Sequence, residues 1–151
     1  MQPRLEYGKA APAALRAMSA LNTYSMNCGL EHSLLELVKC RSSQINHCGY
    51  CLDMHTKDAR FLGETEQRLY TLSVWRETPF FSDRERAALA LTEAVTLLAD
   101  GPISDDIYEE ARRHFSDEEL VNLVLSIVTI NGWNRLSVTF QSVPGSYQPK
   151  R

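Results

Sequence analysis

Two Ser-x-x-Glu tetrapeptides, Ser82-Asp83-Arg84-Glu85 and Ser116-Asp117-Glu118-Glu119, each stand immediately before a long apolar-patterned run. They limit what this chain can fold into more than any other feature. In such a capping box the serine hydroxyl accepts from the backbone N–H three residues on, and the glutamate reaches back to the serine N–H, so the first turn of a helix closes on itself. The first box predicts a helix through Ala87–Ala99. The second predicts one carrying Leu120, Leu123, Val124, Ile127, Val128 and Ile130 and continuing past Trp133. The β-branched residues of Val124–Ile130 would also suit a strand, but the box upstream and the apolar length favour a buried helix.

The rest of the chain follows the same punctuation. Pro12–Met26 places Leu15, Met18 and Leu21 at helical spacing behind a proline and stops at Gly29. Leu30–Asn46, Gly49–Leu62 and Glu64–Trp75 read as three further helices, with a break at Thr78-Pro79. Gly101-Pro102 ends the first capped helix, Ser104-Asp105-Asp106 opens a shorter one to His114, and the tail from Pro144 reads as irregular. No strand-helix-strand alternation is visible, so the expected fold class is all-α: one helical bundle spanning residues 1–151 as a single domain. At 151 residues the chain can bury one self-sufficient core.

Charge narrows the partners. Sixteen Lys plus Arg against nineteen Asp plus Glu leave a net charge of −3, scattered without a basic patch, so no nucleic-acid partner is expected. No apolar run has the length of a membrane span, and the first residues lack a signal peptide's apolar stretch. The expectation is a cytoplasmic protein with no membrane partner. Four cysteines (Cys28, Cys40, Cys48, Cys51) in a reducing compartment argue against a structural disulfide framework.

The chemistry concentrates in Ile45-Asn46-His47-Cys48-Gly49-Tyr50-Cys51-Leu52-Asp53-Met54-His55. On a helix, Cys48, Cys51 and His55 project from one face, because residues three and four apart are neighbours. A thiol at a helix N-terminus is acidified by the unpaired N–H groups and the dipole, and an imidazole one turn on can take or return its proton. Twelve residues before Cys48 lies Glu36. If the two helices pack antiparallel, Glu36 returns over the thiol helix beside His55, where partial burial should raise its pKa. The four residues then form a redox pair with a proton relay.

Glu36 followed by Cys48-x-x-Cys51-x-x-x-His55 between helices resembles the pattern of alkylhydroperoxidase D-like proteins of the carboxymuconolactone decarboxylase superfamily, and Asn131-Gly132-Trp133-Asn134-Arg135 also looks like a segment of that family. The resemblance implies an all-α bundle assembling into a homo-oligomer, a trimer or hexamer. It further implies peroxide reduction with Cys51 as the residue that becomes a sulfenic acid, Cys48 as the resolving thiol, and Glu36 and His55 as the relay. A peroxide substrate and an external dithiol or disulfide-reductase electron donor would be its partners, with no cofactor. The better-known members carry a histidine directly before the second cysteine, where this chain has Tyr50.

Competing readings were set against this one. A zinc site on Cys48, Cys51 and His55 would need a fourth ligand from Cys40, His47 or Glu36, and no second Cys-x-x-Cys exists. Decarboxylase-like or lactone chemistry on the same fold would not need two thiols, and a non-catalytic redox-sensing module would need no turnover. Cys28 and Cys40 read as buried spacers and His32 and His114 as surface residues, while His47 adjoins Cys48 but points away from the Cys51–His55 face. Trp133 is expected in a core or subunit contact, with Arg135 paired to an acidic side chain.

Overall fold

The computed structural model describes residues 1–149, and among these every regular element is helical. The α-helices are α1 (Tyr7–Ala10), α2 (Pro12–Met26), α3 (His32–Ile45), α4 (Gly49–Phe61), α5 (Glu66–Thr71), α6 (Asp83–Thr96), α7 (Asp105–His114) and α8 (Asp117–Phe140). Both capping boxes are complete. Ser82 and Ser116 accept from the N–H groups of Glu85 and Glu119, whose carboxylates accept from the serine N–H groups at 2.8 Å in each case. Losing such a serine typically costs a helix about 1 kcal/mol.

The strongest burial lies on α3. From Leu34 to Cys40 every residue is buried, because α3 runs through the middle of the bundle and packs against α4, α6 and α8. One side of it joins Leu91 of α6 and Leu123 and Ile127 of α8 in a core around Leu35 and Val38. The other side puts Leu37 and Cys40 in a second core with Leu72, Trp75 and Leu89. The helix is thus enclosed on all sides, and any charged residue within this run must find its partner inside the protein.

Three expectations were modified by tertiary contacts. The helix read as Glu64–Trp75 begins at Glu66 and passes at Leu72 into a 3-10 turn over Leu72–Glu77. That turn lets the Trp75 indole N–H donate to Glu93 at 2.9 Å, and Arg86 caps the freed carbonyls of Trp75 and Thr78. The helix read to Ala99 ends at Thr96, followed by a 3-10 turn over Leu98–Asp100, and the short α1 was not anticipated. The tail beyond Pro144 has no regular structure, as read, but it is anchored: its Tyr147 hydroxyl donates to Asp58 of α4. No helix of the described residues is long and apolar enough to cross a membrane.

Candidate active site

The turn between α3 and α4 positions the thiols. Asn46 caps α3, His47 takes a left-handed conformation (φ 54°), and Cys48 is the N-cap of α4. A net of asparagines from α8 fixes this turn. The Asn46 side-chain amide donates to the Asn131 and Asn134 carbonyl oxygens at 2.9 Å each, and Asn134 donates onward to Ser43. Cys48 N–H donates to Ser43 O, and Cys48 Sγ accepts from Cys51 N–H at 3.3 Å. The Cα atoms of Cys48 and Cys51 are 5.4 Å apart with their sulfurs joined, a separation inside the normal disulfide range. Cys51 is 1% exposed and packs with Cys48 on Ile130.

Behind Cys51 lies a buried charge cluster. Glu36 of α3 is only 2% exposed, and its two oxygens are divided between partners: Oε1 accepts from Lys39 Nζ at 2.7 Å, Oε2 from His55 Nδ1 at 2.8 Å. Lys39 is itself buried, at 4% exposure. Desolvation pushes the Glu36 carboxyl up, but the hydrogen bond and charge of His55 and the charge of Lys39 outweigh it and hold the group below its ordinary value. This corrects the expectation that burial would raise it, since a paired carboxylate behaves differently from a merely buried one. An ionised Glu36 can only accept, so His55 Nδ1 carries the hydrogen and Nε2 is left free. Asp58 completes the cluster, with ligand atoms of Glu36, His55 and Asp58 all within 4.8 Å of one another. Neither thiol belongs to that group.

Cys51 and His55 open on one cavity of about 340 Å³. Its lining combines the polar side chains of Glu36, Lys39, His55 and Asp58 with aromatic ones that include Trp133 of α8 and Tyr147 of the tail. Cys48 does not line this space; with His47 it lines a separate depression on the other side of the α4 N-terminus. Trp133 is therefore a half-buried wall of the site, whereas exposed Arg135 donates to the backbone and side chain of Asn131 and has no ion pair among the described residues. Cys40 is buried in the second core, Cys28 is half-buried, His32 is exposed, and half-buried His114 contacts Glu110.

Sequence reasoning missed Lys39, Asp58 and Tyr147. Lys39 was signalled by its place three residues from Glu36 inside an otherwise apolar stretch. Tyr147 lies 89 residues from Asp58, and nothing local links the two.

An all-helical domain with a buried carboxylate–imidazole pair behind an N-terminal Cys-x-x-Cys defines a recognisable class. The chain belongs to the carboxymuconolactone decarboxylase family, whose model matches residues 12–94, from α2 into α6. It is 43% identical over 138 residues to the uncharacterized protein YdfG of Bacillus subtilis, covering 91% of this chain and 94% of that one. Among solved structures it superposes with a TM-score of 0.94 and 44% identity on a protein of unknown function from Agrobacterium tumefaciens, described as a candidate antioxidant defence protein AhpD, covering 97% of this chain and 100% of that one. The alkylhydroperoxidase AhpD core of a peroxidase-related protein from Ralstonia eutropha shares the fold at a TM-score of 0.82, with 22% identity, over 95% of this chain and 77% of its own. The fold is thus that of AhpD-like proteins.

Proposed function

We propose that the protein is a peroxidase-type dithiol oxidoreductase in which Cys51 attacks the peroxide and Cys48 resolves the product. The observation that carries this reading is that Cys51, at the third position of α4, lines the same cavity as a His55 whose Nδ1 is held by ionised Glu36. The α4 N–H groups favour the Cys51 thiolate, and the free Nε2 of His55 can take its proton. The thiolate attacks one peroxide oxygen; the O–O bond breaks, the sulfur is oxidised to a sulfenic acid, and the leaving alkoxide takes the proton held by His55. Cys48 then attacks the Cys51 sulfur, forming the disulfide and expelling hydroxide, which leaves as water with the Cys48 proton. An external dithiol reduces the pair and is itself oxidised to a disulfide, returning two protons. The placement of Cys51, but not Cys48, on the cavity supports this division of roles.

Stopped-flow oxidation of the reduced protein by several peroxides, with mass spectrometry of the products, tests the proposal. Wild type should acquire one intramolecular Cys48–Cys51 bond while Cys28 and Cys40 stay reduced. Cys48→Ser should stall with a sulfenic acid on Cys51, and Cys51→Ser should react slowly. The opposite pattern exchanges the two roles. Disulfide formation without turnover by any dithiol would instead indicate a redox-sensing module.

A further inference from the structure

The chain after α8 does more than end the fold. Gln141, at φ 55°, turns it back, with Ser142 N–H bonded to Ser137 O at 2.9 Å. The following residues, although without regular structure, are fastened at three points to one side of α4. Gly145 N–H donates to Asp53 at 3.0 Å, Lys57 Nζ donates to Tyr147 O at 3.1 Å, and the Tyr147 hydroxyl donates to Asp58 Oδ1 at 2.7 Å. Gly145 needs its left-handed φ of 105° to aim that N–H, which a residue with a Cβ would reach only with strain.

The third fastening differs from the other two in where it leads. Asp53 and Lys57 bond each other and the strap. Asp58 instead brings a second carboxylate to the cluster that holds His55. Burial raises its pKa, and the charge of Glu36 adds to the rise, against the lowering by the Tyr147 hydrogen bond and by His55.

We propose that Asp58 is a positioning residue of the relay, its carboxylate fixed beside His55 by the Tyr147 hydroxyl, so that docking of the C-terminal strap both walls the cavity and holds a second negative charge against the imidazole. Every element lining the cavity bears on this balance. Helix α3 contributes Glu36 and Lys39, and α4 contributes Tyr50 and Asp58 besides Cys51 and His55. Tyr7 stands at α1, α2 gives neutral Asn22 and Met26, and α8 gives neutral Trp133 and Ser137. With His55 neutral, one ammonium faces two carboxylates; with His55 protonated the cluster is balanced. Asp58 therefore favours the imidazolium, the form that must hold the Cys51 proton until the leaving oxygen takes it. The family match ends at residue 94, so Tyr147 lies outside it.

The proposal rests on the relay reading of the site but is separable from peroxidase activity. The test follows the rate of Cys51 alkylation by iodoacetamide against pH in the reduced full chain, read by mass spectrometry of the Cys51 peptide, and in parallel the rate of oxidation by hydrogen peroxide. Asp58→Asn should move the acid limb of the alkylation profile down by about one pH unit, the size expected for loss of a charge at this distance. Tyr147→Phe keeps the ring as a wall but frees Asp58 to protonate, so it should move the limb the same way by about half as much. Added to Asp58→Asn it should do nothing further. Lys57→Met loosens the strap without removing the phenol–carboxylate bond and controls for a purely structural effect; it should leave the limb in place. An unmoved limb in folded Asp58→Asn, a Tyr147→Phe shift that persists in the double variant, or an equal shift in Lys57→Met overturns the proposal. Should alkylation behave as expected while no peroxide is turned over, the peroxidase reading fails and this inference stands.

Discussion

Glu36→Leu is expected to lower the stability of the fold by about 3–5 kcal/mol, because it leaves the Lys39 ammonium buried without its ion-pair partner. Lys39→Met should cost less, since the buried Glu36 carboxylate loses one partner but keeps its hydrogen bond from His55. Both side chains are almost wholly enclosed, with 5% and 3% of the lysine and glutamate side chains exposed, so neither charge can recover its hydration by a small movement. Combined, the two changes replace an ion pair by apolar groups of similar volume in a helix already surrounded by leucine and valine. The double variant should therefore recover most of the loss, short by about 1 kcal/mol for the acceptor His55 Nδ1 no longer has. Urea unfolding of the three variants decides this; single variants within 1 kcal/mol of wild type would mean water reaches the pair. The pH dependence has a definite sign. Because the folded carboxyl lies below the ordinary glutamate value, its contribution is present in full above that value and is lost as the pH falls through the lower folded value. The gap between wild type and Glu36→Gln should accordingly narrow in acid.

What the sequence could convey depended on whether the determining contacts were local. The helix starts at Ser82 and Ser116 were legible because a capping box is closed within four residues, and α4 was legible for the same reason, with Gly49 following its N-cap. The return of Glu36 over His55 rested on the family resemblance and not on spacing alone. The sign of the Glu36 shift could not be read locally, since it depends on Lys39 and His55 together outweighing desolvation. Nor could the break at Leu72, which is set by Trp75 reaching Glu93 and by Arg86 satisfying the carbonyls thus exposed. The bonds of Asn134 to the α3–α4 turn join residues far apart in sequence, and through them α8 holds the residues that carry the thiols. Arg135 next to it was expected to pair with an acid, but among the described residues it bonds to Asn131 instead.

His55→Ala should slow oxidation of Cys51 near neutral pH by roughly 10²–10⁴-fold, the range that a positioned general base contributes. The geometry leaves no second base in the same place. Glu36 has both oxygens engaged, Asp58 accepts from Tyr147, and the Cys51 backbone N–H is already directed at Cys48 Sγ. Raising the pH should recover much of the loss, since hydroxide then removes the thiol proton without help. Because His55 is buried, the alanine leaves a cavity and a Glu36 oxygen without its donor, so a slow variant could simply be a loosened one. His55→Gln separates the two causes. Its amide can still donate to Glu36 and fills most of the space, but it has no titratable nitrogen, so it should be as slow as alanine near neutral pH while unfolding close to wild type. Glu36→Gln should slow the reaction in the same direction but less, since it weakens the orientation of the ring and leaves the base in place. If both His55 variants fold and oxidise with wild-type pH profiles, Cys51 is activated by the N-terminus of α4 alone, and the relay has no part in the reaction.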